Sequence, residues 1–440
     1  MTNIPIVIVA FNRKECLARL LSSIDRAFYT DKTKLIISID GGGSDDVVAL
    51  ANSFHWKYGE KEVILQSENL GLRRHILSCG SFVEYYNGII LLEDDLFVSP
   101  YFYDYALSAY EHYKEDRNIC GIALYSHLYN ETACLPFLPI IESSDVFFMQ
   151  TACSWGQLWS KVQWGEFVEW YSLNEEIEID GKNQLPGNVS LWPSSSWKKF
   201  FIKYMLENDK YFVYPRNSYT TNFGDAGQHH YGTNLWQVPL QYEKINYNFK
   251  AFEDSYAKYD AFCEILPSCI KKLAPHLATY EITVDLFGMK MIDMLESEYV
   301  ITSQECLDYD KSYGRNLKPH EANIMECIEG KSLFLAKQNN VKGYDDFLRY
   351  RAKVMSDIEK SHFYFYQVTK NHFHSFDYKI AILNNAIHRL EGEKNELHDN
   401  GQANPYLTDK RNVYFCKVRS FVITLLKSIK KIVTENNMKR

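Results

Sequence analysis

The chain has 440 residues, 46% of them hydrophobic, enough to bury a full core and to divide into two or three domains. Its formal charge of -8 argues against a nucleic-acid partner, and no window approaches the roughly 18 to 20 uninterrupted apolar residues that a bilayer span requires. Ten cysteines are scattered from Cys16 to Cys416 with no CxxC pair, which indicates neither a zinc site nor a disulfide framework and makes a reducing cytoplasm the expected compartment.

The opening MTNIPIVIVAFNRKE has no basic segment before its apolar run and reads as a strand rather than a signal peptide. Apolar runs then alternate with amphipathic stretches, the pattern of an α/β layer with a largely parallel sheet. Strands are predicted over 4–10, 34–40, 63–66 and 88–92, and helices over 14–25 and 72–86; Gly41, Gly42 and Gly43 break the chain after the second strand. The fourth strand runs into Glu93, Asp94 and Asp95, so these carboxylates fall at a strand's C-terminal end, where open α/β sheets place their ligands.

From about 145 to 250 the composition turns to Trp, Tyr, Asn and Gly, with the last regular apolar strand over 211–214. Domain limits follow at 1–250, at 251–355 for an accessory, mostly helical region, and at 356–440 for a helical tail. Within the tail, Phe373, Phe376, Ile380, Leu383, Ile387, Leu390, Lys394 and Leu397 keep a three-four spacing, which suits homo-oligomer pairing through 373–397 or one helix packed on its own domain. Residues 409–440 carry nine Lys or Arg against two acids, a net +7 that leaves -15 elsewhere. Their apolar face of Tyr414, Val418, Phe421, Leu425 and Ile429 makes a basic amphipathic helix suited to an anionic membrane surface.

Hard oxygen ligands such as Glu93, Asp94 and Asp95 suit Mg or Mn, the ions that screen a diphosphate leaving group. Arg13, Asp40, Arg73 and Arg74 fall at or near the ends of the earlier strands, where a carboxylate can accept hydrogen bonds from a base or ribose and arginines can pair with a diphosphate. A second dense cluster runs from Asn222 through Asp225 to His229 and His230, and its glycines suit a loop closing over a diphosphate with a histidine touching phosphate or metal.

Taken in order, PIVIVAFNR, LIISIDGGGSDD, ENLGLRRHIL and IILLEDDLFVSPYFYDYA resemble the nucleotide-binding half of family 2 glycosyltransferases, bacterial polysaccharide enzymes in particular. CSWGQLWSKVQW and TTNFGDAGQHH are similar also to the Golgi N-acetylglucosaminyltransferase I group. The resemblance covers roughly 3–240 and implies a GT-A fold, a mixed α/β sheet flanked by helices, here followed by a C-terminal helical extension. It also implies roles: Asp40 at the uracil or equivalent base, Arg13 and Arg74 near the nucleotide or its phosphates, and Asp95 directly on the metal. Glu93 and Asp94 would meet ribose, sugar or metal-bound water, with Asp94 a further candidate metal ligand, and Trp155, Gly156 and Trp159 would form a loop closing on the donor sugar.

Related inverting enzymes carry an acid between two tryptophans, whereas Trp192 and Trp197 here enclose Pro193 and three serines. Glu166, Glu169, Asp180 and Asp225 are the candidate replacement bases. The function expected is metal-dependent, inverting transfer of N-acetylglucosamine or a hexose from a nucleoside diphosphate, UDP in particular, to a glycan or lipid-linked glycan in cell-surface polysaccharide synthesis, at the cytoplasmic side of a membrane. Two competing readings are a catalytically inactive glycan-binding or scaffold protein and a sugar nucleotidyltransferase; the second lacks the usual glycine-rich phosphate loop, since AFNRKE follows the first strand.

Overall fold

The computed structural model describes residues 4–133, 135–179, 185–225 and 236–342. These all belong to one compact unit, Met1–Asp345. The heptad-like segment, the basic tail, Asp180, His229 and His230 lie outside the described residues.

The chain opens with β1 (Ile6–Ala10), α1 (Lys14–Asp25), β2 (Leu35–Ile39), α2 (Asp45–Ser53), β3 (Lys61–Leu65), α3 (Gly71–Gly80) and β4 (Gly88–Glu93). After a turn at Asp94 and Asp95 come β5 (Leu96–Val98), α4 (Phe102–Tyr113), β6 (Ile119–Ala123) and a short hairpin of β7 (Tyr129–Asn130) and β8 (Leu135–Pro136). Next follow β9 (Val146–Met149), β10 (Gln157–Ser160), α5 (Lys161–Asn174), α6 (Gly187–Ser190), α7 (Trp197–Glu207), β11 (Tyr211–Pro215), β12 (Thr220–Asn222) and β13 (Lys258–Tyr259).

Nine of these strands form one mixed sheet in the order β13-β9-β11-β6-β10-β4-β1-β2-β3. β1, β2, β3 and β4 run parallel; β1, β2 and β4 are the unbroken apolar runs expected where helices cover both faces of a sheet, and β3, with Lys61 and Glu62, is its edge. α1 buries Leu17, Leu20, Leu21 and Ile24, the three-four spacing of a helix that lays one stripe on a sheet. β10 runs antiparallel between β4 and β6, pairing Leu158 with Ile90 and with Ile122. The mixed α/β sheet flanked by helices expected of the GT-A type is therefore present.

The differences from expectation are local and physical. α3 stops at Gly80, and a 3-10 turn covers Ser81–Glu84 where a single helix to 86 is predicted. Trp159 belongs to no loop: it is a fully buried residue of β10, with Trp164 at 4.5 Å, Trp197 edge-on at 5.5 Å and Phe201 at 5.8 Å. A strand rich in aromatics hides in a region whose composition reads as loop, because Trp and Tyr serve cores as readily as surfaces.

The described part of the accessory region is not mostly helical either. α8 (Pro267–Leu273) and α9 (Glu321–Met325) are short, while β14 (Ile282–Asp285), β15 (Tyr299–Thr302), β16 (Lys311–Tyr313) and β17 (Leu333–Lys337) form a four-stranded sheet ordered β14-β15-β17-β16. Strands of three to five residues are too short to show a period in sequence. Among the described residues, no helix is long and apolar enough to cross a membrane.

Trp159→Ala should empty the space between β10 and α7 and cost about 3 to 5 kcal/mol of unfolding free energy in urea titrations. The same change at Trp155, which is only partly buried, should cost less than half as much.

Candidate active site

The parallel half of the sheet directs the C-terminal ends of β1, β2 and β4 to one edge, and the sequence-predicted polar residues gather there. Asp40 follows β2 and is 7% exposed. Its Oδ1 accepts the N–H of Gly41 at 2.9 Å and of Leu70 at 2.8 Å, and its Oδ2 accepts that of Gly71 at 3.0 Å. One carboxylate thus ties the end of β2 to the start of α3. Gly41 is required there, since a Cβ would lie 2.1 Å from the Glu68 carbonyl carbon.

The start of α3 carries the two neighbouring arginines. Arg73 lies 4.8 Å over the Phe200 ring, and the exposed Arg74 donates to the Leu70 carbonyl at 2.9 Å and sits 3.5 Å from Glu68. Both lie in the first turn of α3, whose start Asp40 holds.

The acidic triplet closes β4. Glu93 is its last residue, and Asp94 and Asp95 form the turn into β5. Arg13, between β1 and α1, donates to both aspartates, through Nη2 to Asp94 and through Nη1 to Asp95 Oδ2 at 2.9 Å. Asp95 Oδ1 is buried with no hydrogen-bond partner. Burial and the negative charge of Asp95 push Glu93 up to about 8, against the pull of Arg13. Burial likewise pushes Asp94 up to about 6, although Arg13 opposes it. For Arg13 burial works against the charged form, but Asp95 and Asp94 outweigh it and hold the guanidinium above its ordinary range. The triplet is an excess of negative charge under-compensated by one cation.

Across the sheet, β12 pairs antiparallel with β5, setting Asn222 against Leu96 and so bringing Asp225 to the same edge. Asp225 is not free: Arg19 of α1 donates both guanidinium nitrogens to it and lies 4.0 Å over Phe223. Glu166 is placed elsewhere. β10 pairs Ser160 with Gly88, so α5 begins at the end of β4 remote from Glu93, and there Glu166 meets Lys210 at 2.7 Å and the Tyr204 hydroxyl. That position removes Glu166 as a base, and Glu169, one turn on, is an exposed residue of the same helix.

Trp155 and Gly156 do reach the site. The Trp155 ring packs between Tyr125 at 4.7 Å and Trp236 at 4.9 Å. Gly156 has φ +93, and a Cβ there would come within 2.9 Å of Thr220, so glycine allows β10 and β12 to approach. Sequence reasoning missed three neighbours of this wall: Glu131 in the β7–β8 turn, Trp236, and Lys198, whose ammonium lies 5.3 Å over Trp155 and 3.8 Å from Glu131. The one signal for Lys198 was its place directly after Trp197 in the departed acid motif.

Residues 6–133 match the family described as Glycosyl transferase family 2. The matched stretch holds β1 to β7 and the acidic triplet. No curated protein matches the chain. Among solved structures, it is similar to TarS 1–349 of S. aureus in complex with UDP-GlcNAc, at 10% identity over 51% of this chain and 60% of that one, with a TM-score of 0.35. It is also similar to the mannosyltransferase PcManGT of Pyrobaculum calidifontis in complex with GDP-Man and Mn2+, at 10% identity, 39% and 46% coverage and a TM-score of 0.28. GalNAc-T7 with UDP, GalNAc and Mn2+ gives 10% identity, 49% and 43% coverage and a TM-score of 0.35. The chain thus spans about half the length of these proteins.

Asp40→Asn replaces an acceptor of three N–H groups by an amide that can present only one oxygen to them. It should lower unfolding free energy by about 1 to 3 kcal/mol in the absence of any nucleotide, read from urea midpoints.

Proposed function

We infer that the chain is a metal-dependent glycosyltransferase that moves N-acetylglucosamine or a hexose from UDP to a glycan acceptor with inversion. The observation that carries this reading is the Glu93–Asp94–Asp95 triplet at the end of β4, inside the stretch that matches glycosyl transferase family 2, with one buried Asp95 oxygen unsatisfied.

Among the described residues, no group of three or more His, Cys, Asp or Glu converges as a self-sufficient metal site. The donor set nevertheless fits Mg or Mn in a nucleotide enzyme, where one or two carboxylates act together with water and substrate phosphate oxygens. Asp95 would hold the ion, with Asp94 beside it. When bound, the ion screens the diphosphate and stabilises it as a leaving group. The protein's own residues do the rest. Asp40 fixes the turn against which the base lies and keeps lone pairs on Oδ2 for it. Arg13, once released from the aspartates, has a planar fork that matches a phosphate.

Asp225 is the described carboxylate best suited to take the acceptor proton, since it stands at the same edge as the triplet. Arg19 occupies both of its oxygens, so an acceptor hydroxyl must draw it from that pair. The same pairing favours the second reading, a glycan-binding protein without turnover. Release of UDP from a UDP-sugar in the presence of Mn2+ decides between them: slow hydrolysis supports the transferase, and nucleotide binding with no turnover across an acceptor panel supports the binding protein. The wider setting, a lipid-linked glycan at the cytoplasmic face of a membrane, belongs to the same proposal.

Asp95→Asn keeps shape and removes the anionic ligand. Turnover should fall roughly a hundredfold, about 3 kcal/mol of transition-state stabilisation, while Asp46→Asn in α2 should change it by less than about twofold; unaltered Asp95→Asn activity in excess chelator would end the metal-dependent reading. A further expectation concerns Arg13, which occupies the aspartates as a built-in counter-ion. Arg13→Met should strengthen nucleotide-free Mn2+ binding about tenfold in electron paramagnetic resonance titrations and weaken UDP binding, because one positive charge near two carboxylates shifts their affinity for a cation by at least about 1.4 kcal/mol.

A further inference from the structure

Lys198, the second residue of α7, is only 8% exposed. Its ammonium is flanked by two indoles, 5.3 Å from the Trp155 ring centre and 5.1 Å from that of Trp192. The nearest carboxylate is Glu131 at 3.8 Å, beyond hydrogen-bond distance. An ammonium brings three donors and a strong hydration shell, so holding it in a protein wall without a hydrogen bond is costly unless something else uses those donors. Its neighbour Lys199 shows what a lysine spent on structure does here: it donates to the carbonyls of Ser190 and Trp192 at 2.8 and 3.0 Å and pins the turn that carries Trp192. Among the described residues, Lys198 makes no such bond.

The sheet order fixes which side of the cleft this is. β1 and β2, with Arg13 and Asp40 after their ends, lie to one side of β4; β10 and β6 lie to the other. Trp155 precedes β10 and Glu131 lies in the β7–β8 turn, so Lys198 meets residues carried from the β10 and β6 side, close enough to the triplet that its charge reaches Glu93. The Trp155 ring is already packed between Tyr125 and Trp236, so the half-buried Trp192 is the indole left to meet the apolar face of a sugar ring, with the ammonium beside it for a substituent on that ring.

We propose that Lys198, held between Trp155 and Trp192, binds an anionic group of the acceptor, a carboxylate or phosphate on a sugar ring beside Trp192. The acceptor is then an acidic glycan. This rests on reading the cleft as a nucleotide-sugar transferase site. A chain carrying -8 overall repels anions from most of its surface, so capture at one buried ammonium is selective in place as well as in charge. The loose contact with Glu131 lets an anion dock without first breaking a hydrogen bond.

The test uses the full chain with UDP and Mn2+ present and three probes, glucose, glucuronate and glucose 6-phosphate, compared by saturation-transfer NMR titration. At least one anionic sugar should bind about tenfold more tightly than glucose, and which one does so separates carboxylate from phosphate. Lys198→Gln should bring all three probes within about twofold of one another, and Lys198→Arg should preserve the preference. UDP–Mn2+ affinity by calorimetry and the thermal midpoint should stay near wild type in both variants. Equal binding of the three sugars, no binding of any, or a loss of UDP affinity on Lys198→Gln overturns the proposal, the last because it would assign the lysine to the donor. Charge selectivity that depends on Lys198 in a chain that fails to bind UDP would leave the anion site standing and remove the transferase reading.

Discussion

Three carboxylates at the end of one buried strand make the electrostatic problem around which this cleft is built. Glu93, Asp94 and Asp95 cannot all be ionised in a low-dielectric wall without positive charge nearby, and among the described residues Arg13 supplies it by direct contact with the two aspartates. The requirement reaches outward. β1 must end where its following residues can return to β4, Asp40 must lock the next loop so that α3 starts beside it, and β12 must fold over β5 to bring Arg19 and Asp225 to the same edge. Each of these ties uses charged or backbone hydrogen bonds at strand ends, while the apolar strands beneath them supply the rigidity.

The two halves of the cleft are made differently. The β1–β2 half rests on buried parallel strands, and its polar residues, Arg13 and Asp40, follow the strand ends. The other half rests on β10 and β6 and is walled by indole and phenol rings, with a lysine and a glutamate set among them. Such a division suits one ligand that is flat and heavily charged and another that presents the faces of sugar rings.

Legibility followed the length and period of each signal. The parallel strands, α1 and the place of the acidic triplet at the end of β4 were readable because apolar runs and strand ends are local features. Trp159 and the four-stranded sheet over 282–337 were misread, the first because an indole in a Trp-rich stretch carries no sign of which way it points, the second because strands of three to five residues have no visible period.

By itself, then, the amino-acid order determined an α/β layer, the position of its carboxylates and the chemistry those carboxylates suit, since all three depend on neighbours within a few residues. Only the tertiary structure decided which carboxylates share a site. Glu166 and Asp225 look equally suitable in sequence, yet the antiparallel run of β10 carries Glu166 to the far end of β4, whereas the pairing of β12 with β5 returns Asp225 to the triplet and to Arg19. The same holds for Lys198, whose meeting with Trp155 and Glu131 joins three distant segments. Strand direction and pairing are long-range choices of the packed core, and no local pattern encodes them.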